Sequence, residues 1–201
     1  MKTITNAYVI AEHAHACWAP DNKPQLRKYT GEPYIVHPVR VAIAAASFMA
    51  TAEPFKTCPP ADFIAAAFLH DVLEDTTYPA EYIEDRCGQN VLRIVRELTN
   101  PSKGSTASRA QRKQQDRYHL ACVSPEAKAL KMLDRTDNVL DMRRSVSAPQ
   151  YFDVFSNEFA KLYCDESQLL LDAIGQDVAG CLSTALGTAI KQLRGDVVDA
   201  S

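Results

Sequence analysis

The sequence predicts an all-α fold, and three observations support that prediction. The 201 residues include 7 glycines, and few segments alternate apolar and polar residues as β-strands do. Apolar residues recur instead at helical spacing: Ala7, Ile10 and Ala14 predict a first helix over about residues 4–18. A hydrophobic fraction of 46% at this length suits a globular domain with a core of normal size.

The next segments alternate between loops and helices. Residues 19–34 contain several prolines and a glycine and predict a loop. Pro38 suits the first turn of a helix, and residues 52–60 break the chain again. Asp62 or a neighbour is expected to begin a helix that carries the stretch AAAFLHDVLEDT at residues 65–76.

Shorter helices are expected in the middle of the chain. Thr76 or Thr77 is expected to cap the next helix, with Pro79 in its first turn and Gly88 at its end. The segment QNVLRIVRELTN predicts an amphipathic helix, and PSKGSTAS predicts a loop before the basic helix RAQRKQQDRYHLACV.

Three further helices complete the predicted fold. Ser124 as N-cap and Pro125 at the first helical position predict the start of a helix that runs to about residue 144. Two long helices are expected over about residues 151–173 and 176–194. The length and the lack of an internal repeat favour a single domain over residues 1–201.

Composition and charge narrow the range of partners. The net charge of −3 argues against a nucleic acid as partner, although it is compatible with a local basic pocket. The six cysteines include no C-x-x-C pair, which favours reduced thiols. The sequence shows neither a signal peptide nor about 18 consecutive apolar residues, so we expect a cytoplasmic protein without a membrane partner. A homo-oligomer is compatible with the sequence, which does not fix the oligomeric state.

The stretch AAAFLHDVLEDT concentrates titratable groups beside apolar residues. In a continuous helix His70 and Glu74 are neighbours one turn apart, as are Asp71 and Asp75. Acids at the C-terminus of a helix oppose its dipole, and a bound cation would remove that conflict. The alternative is a solvated helix end. Adjacent imidazole and carboxylate groups favour the first interpretation, because they suit divalent Mn, Fe or Zn.

Two distant residues are candidates to complete such a metal site. His37 lies just before a predicted helix, and Asp134 lies in an otherwise apolar helical segment. A carboxylate near a buried face needs a partner or a metal. The alternatives are a hydrogen-bonded loop histidine for His37 and an ion pair with Lys131 or Arg135 for Asp134.

Three strings carry a resemblance to a known family: RKYTGEPYIVHP, AAAFLHDVLEDT and LKMLDRTDN, in that order. With this order and spacing the chain resembles the HD-domain superfamily, specifically the hydrolase domain of RelA/SpoT-type enzymes. The resemblance spans about residues 5–145, and the length resembles that of the stand-alone small alarmone hydrolases. It implies an HD-domain helical bundle, and the C-terminal helices expected over about residues 151–194 lie beyond it.

The resemblance also implies an activity and a set of site residues. Such enzymes use Mn²⁺ to remove pyrophosphate from the 3′ position of (p)ppGpp, a small-molecule nucleotide. His37, His70, Asp71 and Asp134 match the metal ligands, and Glu74 and Asp75 match the acids that position or deprotonate the attacking water. The matches on the substrate side are Arg27, which packs on the guanine base, with Lys28; Asn138, which contacts the nucleoside; and the basic residues Arg109, Arg112 and Lys113 near the phosphates.

Departures from the family pattern fall in the nucleotide-binding part. Asp137 stands where family members commonly have His or Tyr, and the usual basic residue two positions after Asn138 is missing. The spacer between Arg27 and Gly31 is also one residue longer than in bacterial members. These departures keep three alternatives open: hydrolysis of (p)ppApp or NADPH, an antitoxin role against an alarmone-producing toxin, and a non-catalytic nucleotide-binding module.

Overall fold

Helices form the regular structure of the part of the chain that is described. The structure is a computed structural model and describes residues 1–28, 30–51, 55, 58–146 and 156–199. An isolated bridge between Leu26 and Pro33 is the only extended pairing within these residues, so the all-α prediction is confirmed. The helices are α1 Lys2–Cys17, α2 Val36–Thr51, α3 Pro60–Leu69, α4 Val72–Asp75, α5 Ala80–Cys87, α6 Gln89–Leu98, α7 Arg109–Cys122, α8 Pro125–Val146, α9 Asn157–Ile174 and α10 Gly180–Asp199.

The core forms where α3 packs against α1 and α2, and where α8 packs against α10. Phe63 and Leu69 of α3 are fully buried, as are Met132 of α8 and Leu186 of α10. Burying such side chains is the main favourable contribution to folding. The apolar half of AAAFLHDVLEDT is therefore core, and it holds the polar residues that follow in a fixed place. No helix of the described residues has the length and apolar character needed to span a membrane.

The expected continuous helix over AAAFLHDVLEDT is wrong. Helix α3 ends at Leu69, His70 and Asp71 form a turn, and α4 resumes at Val72. Consecutive residues of a continuous helix point about 100° apart. The turn changes these directions, so that His70 Nε2 and Asp71 Oδ2 lie 3.0 Å apart.

Capping predictions are confirmed at two helices and wrong at a third. The Ser124 hydroxyl accepts a hydrogen bond from the Ala127 N–H at 3.3 Å, as expected for the N-cap of α8. Gly88 ends α5 with a φ of 96°. Neither Thr76 nor Thr77 caps α5, whose N-cap is Pro79. The hydroxyl of Thr76 donates instead to the carbonyl oxygen of Val72 at 2.7 Å and so closes the turn after α4.

The two expected C-terminal helices are present with shifted bounds. Helix α9 covers Asn157–Ile174, and residues 151–155 of the predicted helix lie outside the described residues. Ser156 caps α9, because its hydroxyl accepts a hydrogen bond from the Phe159 N–H. Helix α10 begins at Gly180 rather than near residue 176, since Gly175–Asp177 form a 3₁₀ turn.

Candidate active site

Four side chains from three parts of the fold meet at one point. His37 lies in the first turn of α2, His70 and Asp71 lie between α3 and α4, and Asp134 lies in the middle of α8. One ligand atom from each lies within 4.8 Å of all the others. His37, His70 and Asp134 are buried, and Asp71 is half-buried. These are the four residues that the sequence predicts as metal ligands, and the fold brings all four together.

In both histidines Nε2 points toward this group, and Nδ1 makes a hydrogen bond to a residue outside it. His70 Nδ1 lies 2.8 Å from the carbonyl oxygen of Ala67, which only accepts hydrogen bonds, so Nδ1 carries the hydrogen. His37 Nδ1 lies 2.7 Å from Asp137 Oδ2. The two Nε2 atoms are 3.1 Å apart. Both Nε2 atoms are therefore placed to bind one cation, whether a proton or a metal ion.

The donor set fits a divalent metal ion. Two imidazole nitrogens and two carboxylate oxygens suit such ions, and a histidine that ligates a metal commonly donates its second N–H to an acceptor. Asp134 also pairs with Lys131, at 2.8 Å between Oδ2 and Nζ, while its Oδ1 lies 3.2 Å from His37 Nε2. The two interpretations of Asp134 from the sequence therefore describe different oxygens of one carboxylate.

The imidazoles and carboxylates of the His/Asp group stabilise one another's ionised forms. Burial would raise the pKa of Asp71, but His70 and His37 outweigh it and hold that pKa well below its usual value. Burial likewise acts to raise the pKa of Asp134, and Lys131 and the imidazoles lower it. Burial would lower the pKa of His37, whereas Asp134, Asp137 and Asp71 raise it to about 9. A metal ion that binds at neutral pH would therefore displace protons from the imidazoles.

The acid pair lies one turn beyond, and its two members differ in their partners. Both oxygens of Glu74 accept hydrogen bonds from Asn100 Nδ2, at 2.8 and 3.0 Å. The Tyr34 hydroxyl lies 2.9 Å from Asp75 Oδ2 and 2.7 Å from Asp71 Oδ2. Burial, together with the neighbouring charges of Asp71 and Glu74, raises the pKa of Asp75 to about 7. A pKa of about 7 suits Asp75 for taking up and releasing a proton near neutral pH.

A cavity of about 190 Å³ opens beside these acids and has a cationic wall. The wall consists of Lys113, Arg117, Lys131 and Arg135. Arg135 is 8% exposed, and its Nε and Nη1 are buried without a hydrogen-bond partner. Its guanidinium lies over the ring of Tyr163, 4.7 Å from the centroid. Burial, then the charges of Arg135 and Lys131, lowers the pKa of Lys113. The wall therefore favours an anionic ligand.

Arg27 and Asn138, the predicted nucleoside-binding residues, bind each other. Arg27 Nη2 donates to Asn138 Oδ1 at 2.7 Å, and Arg27 Nε lies 3.0 Å from Asp141 Oδ2. Asn138 Nδ2 donates to Asp134 Oδ1 at 2.5 Å. Both ends of the Asn138 amide are thus engaged, one of them on a predicted metal ligand. A nucleotide base that packs on Arg27 must therefore contact a residue that is 7% exposed.

The remaining predicted residues divide between the cavity and other contacts. Lys113 lines the cavity, whereas Arg112 donates to the Ala107 carbonyl oxygen at 2.5 Å. The Lys28 ammonium lies over the ring of Phe159, 5.2 Å from the centroid. Arg109 pairs with Glu166, at 2.7 Å between Nε and Oε1. Of the three residues in the predicted basic stretch, Lys113 is therefore the one that lines this cavity and contributes its charge there.

A family model described as HD domain matches residues 7–163 of the chain. The chain belongs to the HD-domain family. This match contains all four residues of the His/Asp group, and it confirms the family resemblance that the three sequence strings carry.

Curated relatives of this HD domain are named for one activity. A protein of Aquifex aeolicus named guanosine-3′,5′-bis(diphosphate) 3′-pyrophosphohydrolase is 32% identical over 136 residues, which is 68% of this chain and 17% of that protein. A Xenopus tropicalis protein named guanosine-3′,5′-bis(diphosphate) 3′-pyrophosphohydrolase MESH1 is 33% identical over 70% of this chain and 73% of its own length. A probable enzyme of that activity from Synechocystis is matched over 15% of its length. The chain thus spans less than a fifth of the Aquifex and Synechocystis relatives.

A solved structure shares the fold of this HD domain. It is described as a metazoan orthologue of SpoT that hydrolyses ppGpp, and it matches with a TM-score of 0.73 at 23% identity. The match covers 96% of each chain. At this identity the likeness establishes the helical architecture, including the C-terminal helices beyond the family match.

Several residues of this HD-domain site are absent from the sequence predictions. They are Tyr34, Asn100, Arg117 and Tyr163 around the cavity, and Arg40 beside Asp137. Tyr34 lies within the string GEPYIVHP, three residues before His37, and that proximity is the one signal that could have identified it. Asn100 reaches the cavity from the loop after α6 and Tyr163 reaches it from α9, so their roles depend on packing that a single sequence does not show.

Proposed function

We propose that this HD domain is a metal-dependent phosphohydrolase that removes the 3′-diphosphate of (p)ppGpp, giving GDP or GTP and pyrophosphate. One observation carries the proposal: Asp71 and Asp134 of the His/Asp group, the acid pair and the cations Lys113, Arg117 and Arg135 all line one cavity. A diphosphate ester needs a metal or acid–base group at the reacting phosphorus and cations along its other oxygens. The names of the curated relatives support this substrate.

In this proposal, His37, His70, Asp71 and Asp134 hold Mn²⁺. When bound, such an ion supplies Lewis-acid polarisation of water or of a phosphoryl oxygen. Asp75, with its pKa of about 7, accepts the proton of the attacking water, and Glu74 orients that water. Attack on the phosphorus attached to the ribose 3′-oxygen then breaks the bond between that phosphorus and the 3′-oxygen. Pyrophosphate leaves with the oxygen of the water, and the 3′-oxygen takes up a proton and becomes a hydroxyl.

The cationic wall would bind the phosphates. Lys113, Arg117 and Arg135 face the cavity. A guanidinium such as that of Arg135 binds phosphate oxygens well, and stacking on Tyr163 limits its orientations. Without a ligand these cations repel one another. A phosphate bound between them is attracted to each cation and offsets that repulsion. The wall therefore favours a ligand with several negative charges.

The metal site is tested by removing its ligands. His70→Ala and Asp134→Ala are expected to lose the metal, because each removes a donor atom from the group. Metal content is measured by mass spectrometry after dialysis against Mn²⁺ and then against buffer. His13→Ala is the matched control, since His13 is exposed on α1 and hydrogen-bonds Trp18. Full metal content in both ligand variants would contradict the assignment.

The substrate is tested with a panel of ppGpp, ppApp and NADPH. Metal-depleted protein is assayed with and without Mn²⁺, and released pyrophosphate and phosphate are measured separately. The proposal expects Mn²⁺-dependent pyrophosphate release with ppGpp as the best substrate. Phosphate release from NADPH without pyrophosphate release from ppGpp would contradict it.

The engagement of Arg27 by Asp141 and Asn138 favours a second candidate, (p)ppApp or NADPH, on the same scaffold. An arginine held by a buried carboxylate is less available to pack on a guanine base. The second candidate predicts that ppApp or NADPH outcompetes ppGpp in the same panel. The reacting groups are the same in either case, so the metal variants affect all substrates alike.

We also propose that residues 1–201 act as one domain in the cytoplasm. Tyr163 and Leu170 of α9 line the cavity together with residues of α4 and α8, which supports a single functional unit. All six cysteines are free thiols, as is usual in a reducing compartment.

A further inference from the structure

Asp137 lies between a predicted metal ligand and an arginine. Its Oδ2 is 2.7 Å from His37 Nδ1, and its Oδ1 is 2.9 Å from Arg40 Nε. The residue is 8% exposed, and the His37 side chain is fully buried. Each carboxylate oxygen thus has its own donor, and this arrangement fixes the plane of the carboxylate.

This contact determines which nitrogen of His37 faces the His/Asp group. A carboxylate accepts hydrogen bonds, so Nδ1 keeps its hydrogen and Nε2 is the nitrogen that can offer a lone pair to a metal. His37 Nε2 then lies 3.2 Å from Asp134 Oδ1 and 3.5 Å from Asp71 Oδ2. His70 is held differently, by the backbone carbonyl of Ala67, so the charged partner is particular to His37.

A chain of ion pairs extends from Asp137 toward the loop before α2. Arg40 Nη1 lies 3.2 Å from Glu32 Oε2, and Arg40 Nη2 lies 2.8 Å from Asp141 Oδ1. Glu32 in turn accepts a hydrogen bond from the Thr30 hydroxyl at 2.9 Å. Arg40 thereby fixes the carboxylate of Asp137, which fixes the imidazole of His37.

We propose that Asp137 is a positioning residue that holds His37 with Nε2 free to bind the metal, and that Arg40 supports it in that role. The inference rests on the proposed metal site and adds a residue that acts through a ligand. Partners of this kind keep the imidazole in one tautomer and orientation and make it a better donor, and their loss commonly costs about 10–100-fold in metal affinity.

Metal affinity tests the inference without a substrate. Metal-free wild type, Asp137→Ala and Asp137→Asn are titrated with Mn²⁺ in a calorimeter. Asp137→Ala is expected to bind about 10–100-fold more weakly. Asp137→Asn is expected to lose less affinity, because its amide oxygen still accepts the Nδ1 hydrogen but carries no charge. The Asn variant also covers the case in which the Ala variant fails to fold.

Ile190→Val is the control for a loss of stability. Ile190 is buried in α10, a helix that contributes no residue to the His/Asp group or to the ion pairs of Asp137. This variant is expected to lower the melting temperature while keeping wild-type metal affinity. Equal losses of affinity in the Ile190 and Asp137 variants would show a merely structural role and would overturn the inference.

A spectroscopic measurement reads the tautomer directly. In Zn²⁺-loaded protein with ¹⁵N-labelled histidine, His37 is expected to show a protonated, hydrogen-bonded Nδ1 and a metal-bound Nε2. Metal bound through Nδ1 in the wild type, or unchanged metal affinity in Asp137→Ala, would refute the positioning role alone. A wild type that binds no metal would instead refute the proposed metal site.

Discussion

At the residue scale, Glu74 and Asp75 are adjacent carboxyls in different environments. Asn100 donates to both oxygens of Glu74, which fixes its orientation. Asp75 is held beside Asp71 by the shared Tyr34 hydroxyl, and burial with the nearby charges raises its pKa to about 7. The pair therefore separates into one oriented group and one group that exchanges a proton near neutral pH.

Removing either acid should lower turnover without releasing the metal. Glu74→Gln and Asp75→Asn are expected to lower kcat by at least about 10²-fold, as is usual when general-base assistance is lost. Metal content is measured on the same samples and should match wild type. Asp62→Asn is the control, because Asp62 accepts a hydrogen bond from Asn90 outside the cavity. Near-wild-type turnover in both acid variants would exclude them from proton transfer.

The raised pKa of Asp75 also predicts how stability depends on pH. Ionised Asp75 is disfavoured in the metal-free fold, so its stabilising contribution is complete below about pH 4 and is lost as the pH rises to about 7. Asp75→Asn avoids this loss, and its advantage in unfolding free energy should grow over that interval and stay constant above it. Urea unfolding of both proteins with a chelator at pH 5 and pH 8 measures the difference. A smaller advantage at pH 8 than at pH 5 would contradict the assignment.

Sequence strings predict the members of the His/Asp group better than the residues that support them. His37, His70, Asp71 and Asp134 stand at fixed positions in distinctive strings, and the fold brings all four together. The sequence offers both Arg135 and Lys131 as partners for Asp134; Lys131 makes the ion pair, and Arg135 stacks on Tyr163. Which of two nearby cations reaches a carboxylate depends on side-chain packing, and helical spacing does not determine it.

At the element scale, the turn between α3 and α4 matters most for the site. His70 and Asp71 interrupt the helix although neither glycine nor proline is present there. Local propensity favours a continuous helix, so the sequence predicts one. In the fold the hydrogen bond from His70 Nδ1 to Ala67 and the contacts of Asp71 with Tyr34 and His37 favour the turn. Long-range contacts therefore decide the local conformation here.

A second element boundary gives a test by paired glycine variants. Gly88 joins α5 and α6 with φ 96° and ψ 161°, a conformation that is nearly restricted to glycine, so Gly88→Ala should cost about 1–3 kcal/mol. Gly195 lies on the exposed surface of α10 with open space around it, so Gly195→Ala should add about 0.5–1 kcal/mol. Urea unfolding of both variants measures these changes. Stabilisation by Gly88→Ala would contradict the assigned backbone conformation.

At the scale of the whole molecule, the cavity is lined by residues that lie far apart in the sequence. Its wall combines Tyr34 before α2, Asp71 before α4, Arg135 of α8 and Tyr163 of α9. Helix α10 packs on both α8 and α9, so the C-terminal helices support the element that carries Asp134. The single-domain prediction depends on this packing, which the less distinctive C-terminal sequence does not reveal.

The single-domain proposal predicts one unfolding transition. Trp18, the one tryptophan, lies at the end of α1 against Tyr78, so its fluorescence reports on the N-terminal helices. Far-UV circular dichroism reports on all helices, including α9 and α10. In urea the two signals are expected to change at the same midpoint, as for a cooperative domain. A second transition seen by circular dichroism alone would show that the C-terminal helices unfold separately.

The position of His70 at the end of α3 has a consequence for how such sequences can vary in length. Helix α3 begins at Pro60 and ends at Leu69, and its buried residues fix its rotation in the core. One inserted residue would turn everything beyond it by about 100° and shift it by about 1.5 Å. His70 would then point away from His37. Insertions and deletions should therefore be absent from this helix and accumulate in loops such as residues 101–108, where no cavity-lining residue lies.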